Sequence, residues 1–68
     1  MKPLTHWAIH HQIKLRLGGR DDVELWGELV SRDGSSRPFR FNRRTLQLVI
    51  GRGQDQRTIQ LDEYGFEQ

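Results

Sequence analysis

The side chains able to do chemistry are few. His6, His10 and His11 are the only histidines. His6 and His10 stand four apart, the spacing at which a helix aims two imidazoles the same way, as in metal-binding pairs. No acidic third ligand lies near them in sequence, and on a strand the two rings would sit well apart, so no metal is expected. Ser31, Ser35 and Ser36 flank Asp33-Gly34 in a segment of turn formers and lack a nucleophile elbow, so they read as turn chemistry. Asp21 and Asp22 are adjacent, and successive strand side chains diverge, whereas paired-carboxylate catalysis needs convergence. Gly18-Gly19 and Gly51-Arg52-Gly53 precede no helix and carry no Gly-Lys-Ser/Thr ending, so hairpin turns are expected rather than phosphate loops. With no cysteine there is no thiol nucleophile, thiolate zinc site or disulfide. The chain is expected not to be an enzyme and to need no cofactor.

Two constellations suit binding instead. Arg37, Arg40, Arg43 and Arg44 surround Phe39 and Phe41, and Arg52 and Arg57 follow on the next hairpin. A basic face beside exposed rings is how small barrels hold single-stranded nucleic acid, through phosphate contact and base stacking. For that reading the contact residues are Arg37, Arg40, Arg43, Arg44 and Arg52. It weakens if Phe39 and Phe41 are core, and Arg40 points away from both. The second constellation is Trp26, Tyr64 and Phe66, with Trp7 a further large ring that a small core would leave uncovered. Exposed Trp, Tyr and Arg anchor protein interfaces.

Charge is distributed in blocks. Residues 1–20 carry Lys2, Lys14, Arg16 and Arg20 and no acid, and residues 21–30 carry Asp21, Asp22, Glu24 and Glu28 and no base. Residues 31–57 hold seven arginines against Asp33 and Asp55, and the tail is acidic. The formal net charge is only +2. Such blocks pair across neighbouring strands or steer docking onto a partner or a second copy. Nine of the eleven basic residues are Arg, whose planar fork suits carboxylates, phosphates and aromatic faces.

The elements that must position these groups follow from period two. Trp7, Ile9, His11, Ile13, Leu15 and Leu17 alternate with His6, Ala8, His10, Gln12, Lys14 and Arg16. Gly18 to Asp22 breaks the pattern, and Val23, Leu25 and Leu29 resume it with Gly27 in the inward slot. A bulge at Gly27 would account for Trp26 and Val30 on the other face. Ser31 to Ser36 reads as a hairpin loop. Phe39 and Phe41 share a face after Pro38; Leu46, Leu48 and Ile50 alternate before the Gly51 turn, and Ile59 and Leu61 alternate after it. Five strands are expected near 7–17, 22–31, 37–42, 45–51 and 56–62, antiparallel because every connection is short. Leu4, Trp7, Ala8 and His11 also satisfy helical spacing, with Pro3 and Thr5 suited to a helix start. Strand is expected from His10 onward, and residues 3–9 stay open to a short helix or turn.

Sixty-eight residues make one domain, residues 1–68, in which about 20 apolar side chains barely offset the ordering cost of roughly 1.5 kcal/mol per residue. The expected core is Ile13, Leu15, Leu17, Val23, Leu25, Leu29, Phe39, Phe41, Leu46, Leu48, Ile50, Ile59 and Leu61. Curling the five strands into a barrel would bury their inner face and remove free edges. The fold class is therefore all-β, an antiparallel meander whose layout resembles the SH3-like and Sm-like small barrels. No stretch is apolar enough to span a membrane, no signal peptide is evident at the start, and a cysteine-free small chain suits a reducing compartment, so the expected location is cytoplasmic. The expected function is a non-catalytic binding or adaptor module that contacts a protein partner or itself. The alternative is RNA or DNA binding through the arginine-rich face.

Overall fold

The computed structural model describes residues 2–68. Its elements, in chain order, are α1 (Lys2–His10), β1 (Lys14–Arg20), β2 (Glu24–Val30), β3 (Ser36–Asn42), β4 (Gln47–Ile50), a single 3₁₀ turn (Gly53–Asp55) and β5 (Arg57–Gln60). All strand pairs are antiparallel, in the order β1-β2-β3-β4-β5. The fold is mostly β, as the alternation predicts, with one short helix in the segment open to either period. No ladder joins β1 to β5 among the described residues, so strand pairing does not close the sheet into a barrel. No helix among the described residues is long and apolar enough to cross a membrane.

The first element corrects the sequence reading. Residues 2–10 are helical, and strand begins at Lys14 rather than at His10. Both periods were written in this segment, and tertiary burial decides between them. The helix places Leu4, Trp7 and Ala8 together in the core, Trp7 only 3% exposed, while Ile9, an inward residue in the strand reading, is left 65% exposed. The helix ends in a Schellman-type cap. Ile13 N–H donates to the Ala8 carbonyl at 2.8 Å, Gln12 N–H donates to the Ile9 carbonyl at 3.1 Å, and Gln12 takes the left-handed conformation at φ 57°.

The sheet's inner face is built in rows. Leu25, Phe41, Leu48 and Ile59 are successive cross-strand partners, and all are buried. The next row runs Leu17, Gly27, Phe39, Ile50, Arg57, and the third runs Leu15, Leu29, Arg37. The core is Leu4, Trp7 and Ala8 of α1 against Leu25, Leu29, Phe39, Phe41, Leu48, Ile50, Ile59 and Leu61. Ile13, Leu15 and Leu46 pack only partly against it, and Val23 is half-buried. Leu17, expected in the core, is 60% exposed, because it sits on an edge strand beside a glycine with no side chain to cover it.

Gly18 and Gly19 do not form the expected turn; both lie inside β1. The register steps from Leu17↔Gly27 to Gly19↔Trp26, so Gly18 is the extra residue of a bulge carried by β1, opposite the glycine expected to carry it. Gly27 permits the kink. A Cβ there would stand 2.0 Å from the Arg16 carbonyl oxygen and 2.8 Å from the Gly18 nitrogen, both backbone atoms. The reversal falls instead at Asp21, whose carboxylate accepts the N–H groups of Glu24 (2.6 Å) and Val23 (2.8 Å). The Glu24 bond, then the Val23 bond, hold the Asp21 carboxyl below the ordinary aspartate range.

Two substitutions test this account. Gly27→Ala forces apart the β1 and β2 backbones and should destabilise the protein by about 3 kcal/mol or more, read as a lower midpoint in urea. Gln12→Gly removes a left-handed strain of roughly 1–2 kcal/mol but loses about 0.5–1 kcal/mol in chain entropy and the exposed hydrogen bond that Arg32 donates to Gln12 Oε1 at 2.6 Å, so the terms nearly cancel and the stability read from the same midpoint should change by less than about 1 kcal/mol.

Candidate functional site

The residues singled out for catalysis are occupied locally. Ser35 donates its hydroxyl to the Asp33 carboxylate at 2.7 Å and its N–H at 2.9 Å, which closes the Ser31–Ser36 loop and holds Asp33 below the ordinary aspartate range. Asp21 caps the β1–β2 turn. His6 and His10 do share a helix side, with ring centroids 6.5 Å apart, but His10 stacks on Phe66 at 4.7 Å and 18°. His11 turns the other way. Its ring lies 4.6 Å from Trp7, and its Nε2 is 3.1 Å from Glu67 Oε2, the same oxygen that accepts the Trp7 indole N–H at 3.1 Å.

The three rings proposed for partner contact are all exposed, but they occupy two places. Trp26 lies on the outer face of the sheet. Its ring rests on β1 at Gly19, where a Cβ would come within 2.7 Å of it, so the absent side chain makes the seat for the indole. Its cross-strand neighbour is Arg40, followed along the row by Val49 and Thr58. Tyr64 and Phe66 belong to the turn after β5, organised by Asp62, whose carboxylate accepts Tyr64 N–H at 2.8 Å and Phe66 N–H at 3.0 Å. That turn closes on α1 through Gly65. A Cβ at Gly65 would meet the Pro3 carbonyl oxygen at 2.5 Å and the Trp7 nitrogen at 2.8 Å.

The five arginines proposed as one basic face are likewise divided. Arg40 and Arg52 line a groove of about 280 Å³ on the outer face, floored by Pro38 and Val49. Arg43 is structural: its N–H donates to the Val23 carbonyl at 2.7 Å, and its guanidinium donates to the Asp21 carbonyl, tying the β3–β4 turn to the β1–β2 turn. Arg44 is exposed in the β3–β4 turn, whose Asn42 carboxamide oxygen accepts its N–H at 2.9 Å. Arg37 belongs to an inner row of the sheet, opposite Leu29, away from Arg40. Phe39 and Phe41 are buried at 2% and 0% exposure, so neither ring is open to a base.

Sequence reasoning missed one concavity. At the α1 end of the inner face, Trp7, Ile13, Leu29, Ile50 and Ile59 form the floor of a cavity of about 220 Å³, with His11, Ser31, Arg37, Arg57 and Glu67 around it. The signal was present in the alternation. Arg37 shares the phase of Phe39 and Phe41, and Arg57 that of Ile59 and Leu61, so both occupy inward slots.

The chain matches no protein-family model, no curated protein and no solved structure at the level that marks kinship, so its geometry alone carries the functional reading.

Proposed function

We propose that this chain is a non-catalytic binding or adaptor module that docks a partner protein, or a second copy of itself, through the outer face around Trp26. The observation that carries this reading is the seating of Trp26. The indole is 39% exposed yet fixed against the β1 backbone at Gly19, so its order is already in place before a partner arrives. Large aromatic anchors of this kind dominate interface energies, and Arg40 beside it supplies the polar contact that such anchors favour. Tyr64 and Phe66 offer a second contact on the α1 side.

The finer architecture belongs to the same proposal. An SH3-like or Sm-like barrel would be completed by α1 and the Leu61–Glu67 segment lying between β1 and β5. The Leu61–Glu67 bridge and the Trp7–Glu67 hydrogen bond support that arrangement. A reducing compartment such as the cytoplasm suits a module that owes no stability to disulfides.

Nucleic-acid binding is favoured by one observation: Arg40 is the direct cross-strand neighbour of an exposed Trp26 and shares a groove with Arg52. A single experiment separates the two. Trp26→Ser is compared with the wild type by sedimentation and by partner capture, alongside oligonucleotide titration at two salt concentrations. The adaptor reading expects loss of about thirtyfold or more in association of the variant, the effect of a hot-spot residue at about 2 kcal/mol. The nucleic-acid reading expects oligonucleotide affinity that falls by about 0.7 in log K per log unit of salt for each phosphate contacted. A wild-type protein that stays monomeric, captures no partner and ignores oligonucleotides sinks both.

A further inference from the structure

We propose that the cavity at the α1 end of the inner face binds a small organic carboxylate with an apolar body, clasped by Arg37 and Arg57. This site is separate from the outer face around Trp26.

The case starts from the placement of charge. The second inner row runs Phe39, Ile50, Arg57, and the third ends in Arg37 beside Leu29. Two guanidinium groups therefore stand in slots where the preceding rows carry core side chains, at the open end of an apolar surface. Among the described residues neither forms an ion pair, and neither guanidinium donates a hydrogen bond to a protein acceptor. The one carboxylate at the rim, Glu67, is directed toward α1, where its Oε2 meets both Trp7 Nε1 and His11 Nε2.

Guanidinium forks match the planar two-oxygen geometry of a carboxylate. The floor of Trp7, Ile13, Leu29, Ile50 and Ile59 adds contact area for an apolar body, which a fully hydrated ion such as inorganic phosphate cannot use, so an organic carboxylate gains over phosphate at the same arginines. The volume, about 220 Å³, lies below the roughly 300–1,000 Å³ of pockets for drug-sized ligands, which restricts the occupant to something the size of an aryl or branched-chain acid. A free organic acid and the C-terminal residue of a polypeptide present the same chemistry, an apolar group bearing a carboxylate.

The test follows the methyl resonances of Ile13, Leu29, Ile50 and Ile59 in the full chain. The probes are phenylacetate, its neutral isostere phenylacetamide, inorganic phosphate, and an acetylated Gly-Gly-Phe peptide with a free carboxylate. Saturable shifts with phenylacetate are expected at a Kd on the order of 1 mM or tighter, the range open to so small a ligand. The amide and phosphate should bind at least about tenfold more weakly, and Arg37→Gln and Arg57→Gln should each weaken phenylacetate by about tenfold. Both arginines are exposed, so the variants keep the fold, and an unchanged methyl spectrum without ligand verifies it. Tighter binding of the peptide than of phenylacetate identifies a chain terminus as the source, and the reverse identifies a free acid; either supports the site. Absence of shifts with both carboxylates, equal affinity for acid and amide, phosphate binding as tight as phenylacetate, or indifference to both arginine substitutions overturns it.

Discussion

Burial of Trp7 is the contact on which the rest of the molecule depends. An antiparallel sheet whose first and last strands do not pair leaves one apolar face to be covered by something other than strands. Among the described residues that cover comes from α1 and from the turn after β5. The N-terminal segment supplies Leu4, Trp7 and Ala8, and the C-terminal turn locks over them through Gly65 and Glu67. Full burial of an indole is worth on the order of 3 kcal/mol, a large part of the stability of so small a domain. The helix is too short to persist by propensity alone. It exists because the sheet needs its apolar side, and Leu25, Phe41 and Leu48 are buried with Leu4 and Trp7 of the helix in one core.

That mutual dependence explains what could be read from the amino acids alone. Strands β2 to β5 alternate cleanly, and inward residues such as Leu25, Phe41, Leu48 and Ile59 are buried as the pattern implies. Residues 3–13 carry two periods at once, and nothing local decides between them. Trp7 is inward in both readings. Ala8 and Ile9 exchange roles, and only the shape of the surface that receives them settles which is buried. The double glycine at 18–19 misleads for a related reason. Glycines suggest a turn, but here their lack of side chains serves close approach: Gly18 is the bulged residue, Gly19 seats the Trp26 ring, and Gly27 lets the backbones meet. The turn itself is marked by Asp21, whose carboxylate does what the glycines were expected to do.

The candidate sites divide along the same lines. Trp26, Tyr64 and Phe66 were legible as rings beyond the capacity of a small core, and each is exposed; Trp7, expected to be left uncovered with them, is instead 3% exposed because α1 carries it into the core. Their separation was not legible, because it depends on α1 lying on one side of the sheet and the indole on the other. The arginines show the converse. Proximity in sequence suggested one basic face, whereas strand geometry sends neighbours two ways: Arg37 inward, Arg40 outward, and Arg43 into a backbone contact between turns. Counting phase rather than proximity places Arg37 with the phenylalanines, a charge where the pattern calls for a core side chain.

A charge in an inward slot forgoes the apolar contact that the slot offers, so Arg37 and Arg57 mark where the core stops. Edge strands do use inward charges to discourage pairing with other chains, and Arg57 lies on such an edge. Arg37 is comparable: its ladder partner is Leu29 of β2, and the β3–β4 ladder begins only at Phe39, so it too stands on an open stretch of strand, and it lines the same cavity as Arg57. Edge protection therefore gives either arginine a role singly, but it does not ask that both border one cavity with an apolar floor. The proposed carboxylate gives both a role at once, since both line that cavity. The outer face, with its seated indole, and the inner cavity, bordered by Arg37 and Arg57 with no ion pair to either among the described residues, present different chemistries on opposite sides of one sheet.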